Sequence, residues 1–173
     1  MANQRHATAL ALQTLYNQAL AQPTNGEQLT QKEYAQRFSK LQDETLSSNI
    51  QGLQNIINGL DKNHGALGLL GDMLGELEGQ RDTYHKFNSG NGGTQKDIQQ
   101  DLNRLSEAIP KQLEETKEWC NKNDLAQNMS QYSLVRKKQG YLFGEKIALN
   151  KLFELLAPPA PPPKAVFTRT AVT

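Results

Sequence analysis

One cysteine, Cys120, stands in a chain of 173 residues. That excludes an intrachain disulfide framework and a cysteine-built zinc site, and beside Trp119 it reads as a small apolar side chain. Long hydrophobic runs are missing too. The apolar stretch from Ala7 to Leu12 is interrupted by Gln13, and nothing approaches the roughly 18 apolar residues of a membrane span. Neither a Sec signal peptide nor a transmembrane span is expected, which leaves a soluble protein, cytoplasmic or exported by a non-Sec route. Valine and isoleucine are scarce beside leucine, so strands are disfavoured. Before residue 157 proline occurs only at Pro23 and Pro110, and no acidic residue precedes Glu27. The net charge of +1 forces no broad basic face. The one basic cluster, Arg136-Lys137-Lys138, lies near Tyr132 and Tyr141 but reads as a solvated helix face, so nucleic acid is not the expected partner.

What the chain does hold is amide and leucine at helical spacing. Eighteen Gln and 14 Asn alternate with Leu and Ile instead of forming tracts, a pattern of wetted amphipathic helices and not of a disordered repeat. A mean hydropathy of -0.69 fits helices that each keep one face in water. A first helix is expected from about Asn3 to Ala21, with Leu12, Leu15, Tyr16, Ala19 and Leu20 on one side, ended by the turn residues Gln22 to Gly26. Thr30-Gln31-Lys32-Glu33 then reads as a capping box, flanked by Leu29 and Tyr34 as a hydrophobic staple. From Thr30, Tyr34, Phe38 and Leu41 are followed after a step of five by Leu46, Ile50, Leu53, Ile57 and Leu60. This predicts a coiled-coil-like seam with one register slip, in a helix reaching about Lys62 and stopped by Asn63-His64-Gly65.

Leu67, Leu70, Leu74 and Leu77 carry a further helix to about Phe87, in which Gly71, Gly75 and Gly79 recur every four residues. Each costs about 1 kcal/mol of helix propensity relative to Ala, so three in register imply a compensating close approach of backbones. Residues 88–93 form a flexible Gly-rich loop, with Thr94 and Asp97 as the next cap. Ile98, Leu102, Leu105, Ile109 and Leu113 hold helical spacing through Pro110, giving one kinked helix. Asn121 to Asp124 break it. A last helix carries Leu125, Met129, Tyr132, Val135, Leu142, Leu149 and Leu156. The prolines from Pro158 to Pro163 then exclude helix, leaving a disordered Pro-rich tail over 157–173.

The chain has no phosphate-binding glycine loop, nucleophile elbow, zincin helix or EF-hand loop. Asp82-x-x-His85, with Asp72 and Glu76 earlier, is one loose half of a di-metal helical site, better read as a solvated helix end. Pairing of Cys120 with His64 or His85 has no supporting context. Glu114, Glu115 and Glu118 lie at helical offsets from Lys111, Lys117 and Lys122 and read as surface ion pairs. No catalytic residue, cofactor or metal is therefore assigned.

The expected fold is all-α: an elongated bundle of about five helices over 1–156, built as two long-helix hairpins joined at 88–93, with the tail at 157–173. The composition is similar to that of secreted or assembly-associated bacterial and viral helical proteins. The function expected is non-enzymatic protein-protein interaction, as an adaptor, secretion-associated or assembly component, by self-association or a partner on helix seams. Partner contacts are assigned to Gly71, Gly75 and Gly79, and in the tail to Pro159, Pro162 and Lys164. There Pro159-Ala160-Pro161-Pro162-Pro163-Lys164 matches the P-x-x-P-x-basic pattern of SH3-type grooves, against the plainer role of spacer. The alternative is a membrane- or lipid-active protein using the Gly-rich amphipathic helix 65–79, opposed by the acids Asp72, Glu76 and Glu78 on its polar face. An enzyme or metal protein whose site is assembled only in three dimensions is the third reading.

Overall fold

A computed structural model describes residues 29–91 and 93–158, so the expected first helix and the tail with Pro159, Pro162 and Lys164 lie outside the described residues. The described chain is all helical: α1 (Gln31–Asn58), α2 (Leu67–Lys86), α3 (Gln95–Lys122) and α4 (Met129–Leu156). None of these helices is long and apolar enough to cross a membrane.

The caps follow the local chemistry. Thr30 N–H donates to Glu33 Oε2 at 2.8 Å and Glu33 N–H returns to Thr30 Oγ1 at 3.2 Å. Thr94 and Asp97 repeat the arrangement, the Thr94 N–H lying 2.6 Å from Asp97 Oδ2. Each reciprocal pair satisfies backbone donors that a helix start leaves open. Those hydrogen bonds, from backbone first and hydroxyl second, hold both carboxyls below their usual range. Pro110 lies inside α3, on an exposed face.

Two boundaries differ from expectation. α1 ends at Asn58 and not near Lys62, because Gly59 N–H turns back to the Asn55 and Ile56 carbonyls and closes the last turn. Gly65 is therefore no cap, and the link runs through a turn in which His64 N–H donates to Asp61 O at 2.9 Å. The Gly-rich loop is shorter than expected as well. A wide helical turn, Phe87–Asn91, continues from α2, and Gly90 ends it at φ 86°, a conformation that glycine adopts without a Cβ penalty.

α1 also faces its core differently. Leu46, Ile50 and Leu53 are buried as the seam predicts, but in the first half the buried side is Ala35, Ser39 and Gln42, while Tyr34, Phe38 and Leu41 are half-buried. At 100° per residue the two apolar runs lie roughly 120° apart around the helix. The step of five thus separates two stripes instead of marking a slip within one, although Phe38 of the first still reaches α2 at Tyr84.

α1 runs antiparallel to α2, with Phe38 edge-on to Tyr84 at 5.7 Å and Ile50 and Leu53 clustered on Leu74. α3 runs antiparallel to α4, from Gln95 Nε2 near Phe153 O through Arg104 at Glu145 to Trp119 stacked on Tyr132 at 5.9 Å. Leu105 and Leu152, the most deeply buried leucines, lie in a core shared by all four helices at the end where α2 and α4 finish.

Candidate functional site

Between the hairpins, α2 and α4 run parallel and touch backbone to backbone. A β-carbon on Gly71 would overlap the Ser133 carbonyl, on Gly75 that of Lys137, and on Gly79 that of Tyr141. The relationship is mutual. Gly140 lies against the Asp72 carbonyl and Gly144 against that of Glu76. Helices packed through side chains stand about 8–10 Å apart; here five glycines remove that layer. The apolar side chains of α2, Leu70, Met73, Leu74 and Leu77, point away from this seam toward α1.

Charged pairs close both edges. Arg136 lies 3.3 Å from Asp72, both three-quarters buried, and its Nη1 donates to Tyr132 Oη at 3.0 Å. Burial works against the Arg136 charge, but the bonds to Tyr132 and Asp72 and the Asp72 charge outweigh it, so its pKa is raised. Arg136 also sits 5.7 Å over the Tyr132 ring, whose other partner is Trp119. Lys137 reaches Glu78 at 2.9 Å. Two members of the basic cluster are thus bound to the acids of α2, and Lys138 stays exposed.

Beside the seam a cleft of about 400 Å³ opens between α2, α3 and α4, with Asp82, Lys86, Asp101, Arg104, Tyr141 and Glu145 on its walls. Tyr141 Oη donates to Asp82 Oδ2 at 3.0 Å, and burial together with Asp82 and Glu145 pushes the phenol up to about 12. Burial raises the Glu145 carboxyl, against the opposing pull of Arg104 at 3.5 Å. Arg104 and Lys86 each also lie 3.8 Å from Asp101. These wall charges tie three helices together.

The residues singled out for metal or nucleophilic chemistry diverge. Asp82 takes the Arg81 fork at 2.7 and 2.9 Å and the Tyr141 hydroxyl, while His85 Nδ1 lies 2.7 Å from Asp43 of α1. His64 Nδ1 accepts from the Ala66 N–H at 3.2 Å in the α1–α2 link, and Cys120 is half-buried on α3. No group of three metal-ligating side chains occurs among the described residues. Lys117 with Glu114 and Lys122 with Glu118 form exposed pairs at 3.4 and 3.5 Å.

Of the residues assigned to partner contacts, Gly71, Gly75 and Gly79 meet α4 of their own chain. Gly140 and Gly144, half of the same seam, were missed from sequence although their spacing of four carried the same signal. The exposed leucines described next were missed also, because periodicity alone does not say which apolar positions a neighbour leaves uncovered. No family model matches the chain, and neither a curated protein nor a solved structure does so.

Proposed function

We propose that this chain is a non-enzymatic interaction protein, an adaptor, secretion-associated or assembly component, that meets a protein partner at the end of the bundle where α2 and α4 begin. One observation carries the reading. Of six large apolar side chains exposed among the described residues, Ile56, Leu69, Leu113, Leu125 and Leu134 lie toward that end, and Ile147 lies elsewhere. Leu134 is 62% exposed, Ile56 58% and Leu69 57%. Single exposed leucines need no explanation, but their concentration toward one end of the bundle supports a contact surface.

The chemistry of that end suits an apolar partner face with a polar rim. Asp61, Lys62, Asp124 and Ser130 are exposed in the links and first turn of that end, and Ser130 Oγ donates to Lys62 O at 2.6 Å, fastening α4 to the α1–α2 link. The test pairs the unaltered chain with the variant Leu69→Ser, Leu134→Ser. A partner or second copy captured by the first and lost by the second, at unchanged helicity, supports the proposal. Equal capture by both, or a strict monomer that captures nothing from its source, rejects it.

A further inference from the structure

The cleft between α2, α3 and α4 changes character along its length. Its volume of about 400 Å³ lies within the range of small-molecule sites, roughly 300–1,000 Å³. Toward the end where α2 and α4 finish, its lining is Phe87, Ile98, Leu149 and Leu152, buried side chains that offer only carbon. Toward the middle of the bundle, about 10 Å away along α4 from Leu152 to Glu145 at 1.5 Å per residue, the walls turn polar. There four carboxylates, Asp82, Asp97, Asp101 and Glu145, stand against two cations, Lys86 and Arg104, a formal excess of two negative charges. We infer that this cleft is a binding site for a small amphiphilic cation, an ammonium head on an aliphatic chain, with the chain against the leucines and the head beside Glu145 and Asp82.

The ion pairs of the wall leave room for such a head. Arg104 reaches Glu145 at 3.5 Å and Asp101 at 3.8 Å, and Lys86 stands 3.8 Å from Asp101, each longer than a well-formed charged hydrogen bond of about 2.7–2.9 Å. Both cations are at least half exposed, whereas Glu145 is mostly buried, so the positive charge belongs to the mouth and the carboxylate to the interior. Burial keeps the Glu145 pKa raised in spite of Arg104, and burial together with Asp82 and Glu145 raises the Tyr141 phenol beside it. A carboxylate so incompletely compensated gains from a further cation. An anion would meet the same four acids, and an inorganic cation would leave the carbon-lined half unfilled. The inference is independent of the partner surface proposed above, since it uses neither Leu69 nor Leu134.

The experiment is calorimetric titration of the full chain with n-octylammonium chloride, and with sodium n-octanoate as the probe of opposite charge. Saturable binding of the ammonium with a dissociation constant at or below about 1 mM is expected, and binding of the octanoate at least about tenfold weaker. Altering the wall charges moves the affinity in opposite directions. Glu145→Gln and Asp82→Asn keep side-chain size and are each expected to weaken ammonium binding about tenfold, so failure of one variant to fold leaves the other. Arg104→Met, which removes the competing cation, is expected to strengthen it about threefold. No saturation by the ammonium, or octanoate binding as tightly, overturns the inference. So does an affinity that none of the variants changes, which places the ligand elsewhere, or one that Arg104→Met weakens as much as Glu145→Gln does.

Discussion

The carbonyl oxygen of Lys137 occupies the space that a β-carbon on Gly75 would fill, and the same chain that leaves no side chain at Gly75 leaves none at Gly140 or Gly144 across from it. Contact at this range involves backbone on both sides, which cannot swing aside as a flexible side chain can. The helix pair therefore depends on what its residues lack.

Gly75→Ala is expected to destabilise by about 3 kcal/mol, since overpacking against backbone outweighs the roughly 1 kcal/mol gained in helix propensity. Gly52→Ala in α1, where a Cβ meets nothing within 4 Å, is expected to stabilise by about 0.5–1 kcal/mol instead. Urea unfolding of the two variants checks the opposite signs. A gain on both would mean that the seam is no tighter than an ordinary helix.

Leu105→Ala, at a fully buried position shared by all four helices, is expected to cost about 2–5 kcal/mol. Leu134→Ser, at 62% exposure, is expected to change stability by less than about 0.5 kcal/mol. Thermal melts compare them directly. If Leu134→Ser proved the costlier, that end of the chain would be core and the proposed contact surface would fall.

The two capping boxes make stability acid-sensitive. The carboxyls of Glu33 and Asp97 sit below their usual values of 4.5 and 3.8 when folded. Their contribution is present above those values and is lost as pH falls through the lower folded ones. Thr30→Ala and Thr94→Ala are each expected to lower the melting temperature by roughly 2–4 °C at pH 7, and the gap from the unaltered chain should close toward pH 2. A gap independent of pH would show that the bonds between the threonine hydroxyls and the carboxylates add nothing to the caps.

Glu145 has the opposite sign. Its pKa is raised by burial, so the folded state holds its proton more tightly than the unfolded chain does, and stability falls as pH rises from about the ordinary value of 4.5 through the raised one. Arg104 opposes that loss. Because Arg104 is half exposed, Arg104→Met is expected to cost about 1 kcal/mol at pH 7, and distinctly less at pH 4, where Glu145 is protonated. Denaturant midpoints at the two pH values decide it.

The caps at Thr30 and Thr94 were legible because a capping box is chemistry within four residues, and the helix bodies because apolar spacing reports their period. The glycine stripe of α2 was legible as a cost needing compensation, although its partner was not. Gly140 and Gly144 were passed over in favour of the heptad of Val135, Leu142 and Leu149, since leucines dominate any apolar pattern and glycines leave no mark on it. Which stripe of α1 turns inward was beyond the reach of periodicity. Ala35, Ser39 and Gln42 are buried because their neighbours cover them, and a sequence pattern names faces without naming what covers them. Parallel contact between the second helices of two hairpins was hidden for the same reason, because connectivity specifies which helices are adjacent in the chain and not which ones approach most closely.

The five glycines also act as a key with one fitting position. Sliding α4 by one turn along α2 in one direction would set Thr83 against the Tyr141 carbonyl and Arg136 against the Asp72 backbone. Sliding it the other way would set Leu67 against Ser133 and Ala148 against Glu76. Every neighbouring alignment meets a side chain where the present one has only hydrogen, so the pair is indexed to a single setting, and glycine spacing sets the relative height of the two hairpins and of the exposed leucines they carry.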